Sequence, residues 1–230
     1  MKPNSLLSNF ISLFYPKLCV ICGDPLVAGE SYFCLACFLK LPKTNYHLSP
    51  HNRATDRFAG KIPVAKGASW LYYDKGGISQ KLIAEIKYRN NRNLGEWMGA
   101  LMAKDWLASG FFHGIDCLVP VPLHPSKEKK RGFNQSEMIA LGISQITGIR
   151  INTENVIRKK ASETQTKKSL FERWKNTKDL FEAKDIDFFD NKHVLIVDDV
   201  LTTGSTLEAV AQSILKAKDV KISILSLAIA

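Results

Sequence analysis

The order of hydrophobic and polar residues along the chain predicts an α/β protein. From about residue 110, short unbroken apolar segments alternate with stretches whose apolar residues recur every three or four positions. The unbroken segments are typical of strands buried on both faces, and the three-to-four spacing is typical of helices. Such an alternation predicts an open, mostly parallel sheet flanked by helices.

These patterns also place the individual elements. They predict strands at 68–73, 115–123, 194–197 and 222–229, and helices at 81–88, 97–107, 133–146 and 207–216. Residues 45–66 mix polar residues, Pro and Gly without periodicity, so we expect a linker there. The sequence therefore predicts a small N-terminal region at 1–44, the linker at 45–66, and an α/β domain at 67–230.

The N-terminal residues have apolar side chains at helical spacing, interrupted by Ser8, Asn9 and Ser12. No cleavage site of small residues follows, so we expect an amphipathic helix packed on its own protein rather than a signal peptide. No apolar run approaches the ~20 residues that a membrane span needs. We therefore expect a cytoplasmic protein without a membrane span.

Four of the five cysteines form two closely spaced pairs, Cys19-x-x-Cys22 and Cys34-x-x-Cys37. A redox pair or disulfides would be alternatives, but two such pairs in a chain without an export signal favour a structural Zn²⁺ bound by all four thiolates. Because sulfur fills every tetrahedral corner, this zinc has no position open for a substrate. The fifth cysteine, Cys117, lies in an apolar segment and is expected to pack in the core.

Positive charge is concentrated in one part of the chain. The formal net charge is +10, and residues 120–178 contain 13 Lys and Arg against 5 Asp and Glu. This concentration favours an anionic partner such as nucleic acid, a nucleotide or pyrophosphate. Most of it falls in two stretches, 126–135 and 158–168, which we expect to be loops.

The segment around residues 198–206 carries the most specific chemistry. The predicted strand ends in Asp198 and Asp199, and a loop rich in Thr, Ser and Gly follows before the next helix. Hydroxyls and backbone N–H groups at a helix N-terminus suit a phosphate, whereas carboxylates suit a sugar diol or Mg²⁺. Together they predict a ribose 5-phosphate site. The glycine-rich motifs of P-loop NTPases and of dinucleotide-binding folds are absent.

Residues 197–206 resemble the phosphoribosyl pyrophosphate (PRPP) motif of type I phosphoribosyltransferases. The four-cysteine ribbon, 120–125, 130–135, and Thr164-Gln165 followed by Arg173 and Asn176 resemble the ComF family. That family includes bacterial proteins of DNA uptake and relatives of amidophosphoribosyltransferase. These landmarks span almost the whole chain and occur in the family's order.

The resemblance implies a type I phosphoribosyltransferase-like domain at 67–230 behind a zinc ribbon, with Mg²⁺ accompanying PRPP. It implies that Asp198 and Asp199 contact the ribose hydroxyls or Mg²⁺. The 5-phosphate loop would be Thr202, Thr203, Gly204, Ser205 and Thr206. The pyrophosphate loop would be Leu123, His124, Pro125, Ser126 and Lys127. The mobile catalytic loop and its cations would be Arg131, Arg158, Lys160, Thr164 and Gln165.

Three functions fit this sequence. The first is a ComF-type protein that binds PRPP and single-stranded DNA and acts in DNA uptake, with DNA-uptake proteins as partners. The second is a metabolic phosphoribosyltransferase with a small acceptor, and the third is a module that senses PRPP or binds DNA without turnover. Aromatic residues beside the basic stretches, Phe133, Phe171 and Trp174, are either stacking platforms for bases or core residues.

Overall fold

A sheet of five parallel strands forms the centre of the computed structural model, which describes residues 16–88, 91–159 and 180–230. The order across this sheet is β1-β7-β6-β2-β3, and β4 and β5 form a separate antiparallel pair. The strands are β1 (Lys66–Tyr72), β2 (Cys117–Pro120), β3 (Arg150–Ile151), β4 (Val156–Arg158), β5 (Phe181–Ala183), β6 (His193–Leu201) and β7 (Lys221–Ile229). The predicted parallel α/β fold is confirmed.

The helices cover both faces of this sheet. They are α1 (Leu35–Leu39), α2 (Arg53–Asp56), α3 (Ile78–Tyr88), α4 (Arg92–Trp106), α5 (Pro125–Arg131), α6 (Gln135–Thr147) and α7 (Ser205–Ile214). Short 3₁₀ turns occupy Tyr46–Leu48, Leu107–Ser109 and Asp187–Phe189. Within the described residues, no helix is both long and apolar enough to cross a membrane. The predicted N-terminal helix lies outside the described residues.

Successive residues of β6 point into two different hydrophobic clusters. Leu195 and Val197 belong to one cluster, and Val194 and Ile196 belong to the other. This alternation follows from the period of two in a strand, and it explains why the segment is apolar without interruption. On one face, α4 and α6 approach so closely that a Cβ on Gly99 would collide with the backbone of α6.

The chain connections leave a crevice between β2 and β6. After β2 the chain passes through α5 and α6 to β3, whereas after β6 it passes through α7 to β7 on the other side. Ligands of open α/β sheets bind outside the carboxyl ends of the strands where the connections diverge in this way. The topology therefore directs attention to the residues that follow Pro120 and those near the end of β6.

The cysteine-containing region packs directly on the α/β domain. Phe33 lies edge-on to Trp97 of α4, with ring centroids 4.8 Å apart, and Tyr32 lies 5.2 Å from the same ring. Cys19 and Cys37 belong to the hydrophobic cluster that also contains the α4 side chains. The region and the sheet therefore share one core.

The segment predicted as a linker contains ordered structure that packs on β1. Asn52 caps α2 by accepting hydrogen bonds from the N–H groups of Ala54 and Thr55, and its amide donates to the carbonyl oxygen of Gly67 at 2.8 Å. Phe58, which follows α2, is only 1% exposed. The composition of residues 45–66 did not predict this packing, because a single helical turn is too short to show apolar periodicity.

One local prediction is wrong, and one open alternative is decided. The stretch 126–131 is helix rather than loop, because α5 begins at Pro125, is capped by His124 and ends before Gly132 in the left-handed conformation. Phe133 is buried in the core and is not exposed for stacking on bases. Phe171 and Trp174, the other two aromatic candidates, lie outside the described residues.

Candidate functional site

A cleft of about 530 Å³ opens at the crevice between the ends of β2 and β6. This volume lies in the range that is usual for small-molecule sites. Eight of the residues predicted for the site line it, namely Leu123, Lys127, Arg131, Arg158, Asp198, Asp199, Thr202 and Thr206. The other described candidates, His124, Pro125, Ser126, Thr203, Gly204 and Ser205, are adjacent in the chain and do not line it. Lys160, Thr164 and Gln165 lie outside the described residues.

The two carboxylates of the cleft belong to β6 itself. The strand continues to Leu201, and Asp198 is paired in register with Ser226 of β7. The strand is longer than the apolar segment 194–197 that predicted it, since backbone pairing to β7 continues past the apolar residues. Being within a paired strand gives both carboxylates a fixed backbone position at the mouth of the crevice.

Asp198 and Asp199 have different surroundings. The Asp198 carboxylate accepts hydrogen bonds from the Ser136 hydroxyl at 3.0 Å and from the Asp199 N–H at 2.8 Å. Burial, together with the negative charge of Asp199, raises the pKa of Asp198 to about 7. The Asp199 carboxylate instead forms a 2.8 Å ion pair with the ammonium group of Lys87. The pair therefore combines a half-buried carboxyl group of raised pKa with a cation-paired carboxylate.

The hydroxyl-rich loop lies between β6 and α7. Gly204 is the N-cap of α7 with a φ of +83°, and the hydroxyls of Thr203 and Ser205 lie 3.0 Å apart. A Cβ at Gly204 would approach the Phe58 ring to 2.9 Å, so glycine satisfies both the backbone conformation and the packing. Thr202 and Thr206 flank this turn and face the cleft. The loop thus presents hydroxyls and the N–H groups of a helix N-terminus, which together suit an anion.

Basic side chains also line the cleft. The Arg131 guanidinium donates to the Gln135 side chain at 2.7 Å and lies 5.8 Å from the centre of the Tyr88 ring. Arg158 lies 5.5 Å from the centre of the Phe181 ring, and burial lowers its pKa from the usual value. Lys127 projects from the first turn of α5, where His124 caps the helix. These cations line the same cleft as the acid pair.

Sequence reasoning missed the wall of the cleft that α3 provides. Gln80, Ile83, Ala84, Lys87 and Tyr88 all line the cleft, and their spacing places them on one face of the helix. Lys87 and Tyr88 lie at the end of the predicted helix 81–88, and nothing in that local pattern indicated a ligand site. The contact of Lys87 with Asp199 joins residues more than 100 positions apart, so no local sequence pattern predicted it.

The four paired cysteines converge within the N-terminal region. Their sulfur atoms all lie within 4.8 Å of one another, and those of Cys22 and Cys34 are 3.8 Å apart. Tetrahedral zinc with Zn–S bonds of ~2.3 Å would separate its sulfurs by roughly 3.8 Å. The Cys34 N–H donates to the Cys19 sulfur at 3.4 Å, so a hydrogen bond joins the two cysteine pairs. The cluster therefore fits a metal ion such as zinc.

Known proteins resemble this chain in sequence. A family described as "Phosphoribosyl transferase domain" matches residues 143–230. "DNA utilization protein YhgH" of Escherichia coli strain CFT073 is 29% identical over 222 residues, which cover 89% of this chain and 93% of that protein. "Competence protein ComFC" of Bacillus subtilis strain 168 is 30% identical over 102 residues, or 43% of this chain and 38% of that protein. The chain is similar to ComF-family, phosphoribosyltransferase-like proteins.

A solved structure of a glutamine PRPP amidotransferase from B. subtilis in complex with ADP and GMP aligns with 58% of this chain, at 18% identity and a TM-score of 0.42. The aligned part is 26% of that longer chain. The family resemblance expected from residues 197–206 and the cysteine ribbon is confirmed by the sequence matches. The ligands of individual residues stay predictions.

Proposed function

We propose that the cleft binds PRPP together with Mg²⁺. The observation that carries this proposal is that two carboxylates, two threonines of the hydroxyl loop and two cations of α5 line one cleft at the end of β6. The carboxylates suit ribose hydroxyls or Mg²⁺, and the loop suits the 5-phosphate. The cations suit pyrophosphate, which the acid pair would repel.

Each part of PRPP then has its own residues. Asp198 and Asp199 bind the ribose hydroxyls or Mg²⁺, and residues 202–206 bind the 5-phosphate. Of the predicted pyrophosphate residues 123–127, Leu123 and Lys127 line the cleft and would contact pyrophosphate there. Arg131 and Arg158 line the same cleft, and Lys160, Thr164 and Gln165 keep their predicted place in a catalytic loop outside the described residues.

This arrangement supports transfer of ribose 5-phosphate. Departure of pyrophosphate leaves positive charge on the ribose ring, as in glycoside cleavage. Arg131 and Lys127 would stabilise the negative charge that develops on the leaving pyrophosphate, because they face it in a cleft that excludes part of the solvent. Mg²⁺, when bound, would add to this neutralisation. The acids hold the ribose while the bond breaks.

We further propose that Cys19, Cys22, Cys34 and Cys37 bind one structural Zn²⁺. The converging sulfurs support this proposal, as does the small size of the region. In this proposal the metal-stabilised ribbon at 1–44 is attached to a phosphoribosyltransferase-like domain at 67–230. The ribbon contributes Tyr32 and Phe33 to the shared core, and no part in the chemistry.

A second proposed function is binding of single-stranded DNA in a DNA-uptake role. Lys127 and Lys129 are exposed on α5 beside the cleft, and the net charge of the chain is +10. The names of the relatives, a DNA utilization protein and a competence protein, support the same role. Cations on a DNA backbone release counterions, so log K falls with log salt by about 0.7 for each phosphate neutralised.

The PRPP proposal is tested by calorimetric titration of Mg·PRPP into the wild type and an Asp199→Asn variant. We expect the wild type to bind and the variant to bind at least tenfold more weakly, because one negative charge is removed from the ribose or metal contact. Asp187→Asn is the matched control, since Asp187 is exposed and precedes β6 at the opposite end of the sheet. Equal PRPP affinity in all three proteins would refute the assignment.

The DNA proposal is tested by fluorescence anisotropy with a labelled oligonucleotide at several salt concentrations. We expect the Lys127→Gln/Lys129→Gln variant to bind single strands more weakly and with a shallower salt slope. Lys216→Gln/Lys218→Gln changes charge equally beyond the end of α7 and serves as the control. A wild type that binds no oligonucleotide at low salt would refute this function and leave the small-molecule transferase.

A further inference from the structure

Lys87 forms an ion pair with Asp199, the carboxylate that the proposed function assigns to Mg²⁺ or the ribose hydroxyls. The ammonium nitrogen lies 2.8 Å from the Asp199 oxygen, and the two side chains are only 21% and 15% exposed. Lys87 is in the last turn of α3, on the wall of the cleft. The contact therefore lies inside the site rather than on the outer surface.

Lys87 is the cation that the described contacts bring to the acid pair. The partners of Asp198 are neutral donors, the Ser136 hydroxyl and the Asp199 N–H. Arg131, the other cation near α3, is held by Gln135 and faces the Tyr88 ring instead. A divalent metal at Asp199 would carry more charge than the ammonium group and would compete for the same oxygen.

We propose that Lys87 occupies the cation position at Asp199 in the free protein and exchanges partners when metal and PRPP bind together. The metal ion takes over Asp199, and the ammonium group moves to an anionic oxygen of the bound pyrophosphate. A lysine suits this exchange, because its charge sits on a long flexible stem and needs no fixed geometry. A metal ion that binds without PRPP must displace Lys87 from Asp199, and the ammonium group then has no pyrophosphate oxygen to move to. Metal binding therefore depends on the presence of PRPP.

This exchange rests on the proposed function, and it has a signature that a structural role would not produce. Loss of a structural contact weakens binding, whereas loss of a competing cation strengthens it. We therefore expect Lys87→Met to bind Mn²⁺ alone five- to tenfold more tightly than the wild type. The affinity for Mn²⁺ in the presence of PRPP should not rise, because the variant also lacks the pyrophosphate contact. The coupling between metal and PRPP should consequently fall at least fivefold.

The experiment measures free Mn²⁺ by electron paramagnetic resonance, with and without saturating PRPP, in the full-length protein. Lys87→Arg should keep the weak binding of Mn²⁺ alone, because the cation is retained. Lys104→Met is the control, since Lys104 is exposed on the neighbouring helix α4. Adding Asp199→Asn to Lys87→Met should abolish the gain, which locates the metal at that carboxylate.

Two results would overturn the proposal. Unchanged or weaker binding of Mn²⁺ alone by Lys87→Met would show that Lys87 does not occupy the cation position. An equal gain with and without PRPP would show that Lys87 blocks metal but does not move to pyrophosphate. Failure of the wild type to bind Mg·PRPP would instead refute the proposed function, and the effect of Lys87→Met on Mn²⁺ alone would still be measured separately.

Discussion

Gly204 connects the hydroxyl loop to the core, and its replacement by alanine tests that connection. The residue has a φ of +83°, a conformation that costs an alanine about 1–2 kcal/mol. The new Cβ would also lie 2.9 Å and 3.1 Å from two carbons of the Phe58 ring, well inside the ~3.5–4.0 Å of an ordinary carbon contact. Phe58 is 1% exposed and cannot turn into solvent, so this overpacking adds about 1–3 kcal/mol.

A matched control separates these two costs. Gly148 ends α6 with a φ of +73°, and a Cβ there would meet no atom within 4 Å. Gly148→Ala should therefore lose only the conformational part, about 1–2 kcal/mol, whereas Gly204→Ala should lose about 2–5 kcal/mol. Urea unfolding followed by circular dichroism measures both values. Equal losses in the two variants would refute the steric part of the reasoning.

A double-mutant cycle locates the steric cost. Phe58→Leu alone leaves a cavity and destabilises, but it makes room for the Cβ of Gly204→Ala. We expect the double variant to be more stable than the sum of the two single losses predicts, by about 1 kcal/mol or more. Simple additivity would mean that the Cβ is accommodated elsewhere. Since the loop must shift in Gly204→Ala, binding of PRPP should also weaken in that variant and recover partly in the double variant.

Two further predictions concern the metal cluster and the buried acid. The protein purified under reducing conditions should contain one Zn²⁺ per chain by elemental analysis, and its removal by a chelator should change the fluorescence of Trp97, which contacts Phe33 and Tyr32. A Trp97→Phe variant should lose that fluorescence change, and protein without stoichiometric metal would contradict the assignment. Because the pKa of Asp198 is raised to about 7, against ~4 in the unfolded chain, the native state binds more protons between these values. Stability should therefore fall as the pH rises from 4 to 7, by about 1.4 kcal/mol for each unit of the shift, and Asp198→Asn should flatten this dependence in urea unfolding. A wild type that gains stability relative to Asp198→Asn over this range would reverse the sign and refute the burial argument.

The sequence predicted those features whose geometry is set within a few residues. The spacing within each cysteine pair determines a turn that aims two sulfurs at one point, and the four do converge. The hydroxyl loop likewise depends on a strand end, one glycine and a helix start, all within residues 198–206. Apolar segments located β6 and β7, because buried strands need uninterrupted apolar residues wherever helices cover both faces.

The predictions failed in segments whose structure is determined by backbone pairing or helix capping and not by the pattern of apolar residues. The pairing of β6 with β7 continues past the apolar run, so Asp198 is a strand residue. Helix α5 has no apolar stripe, yet Pro125 at its first position and Gly132 after its end are the expected signals of a short helix. Weighing these two residues above the charge of the stretch would have predicted the helix correctly.

The wall that α3 adds to the cleft could not be predicted by any local rule. Its face is amphipathic, and the same spacing would suit a helix that packs on any apolar surface. Only the sheet order, with β1 at one edge and the crevice between β2 and β6, brings the end of α3 to Asp199. The ends of β2 and β6 provide groups that suit a ribose phosphate, as their topology requires. In our proposal, Lys87 on α3, a helix from another part of the chain, determines when Asp199 accepts a metal ion. A change at Lys87 can therefore alter metal binding without altering the phosphate loop.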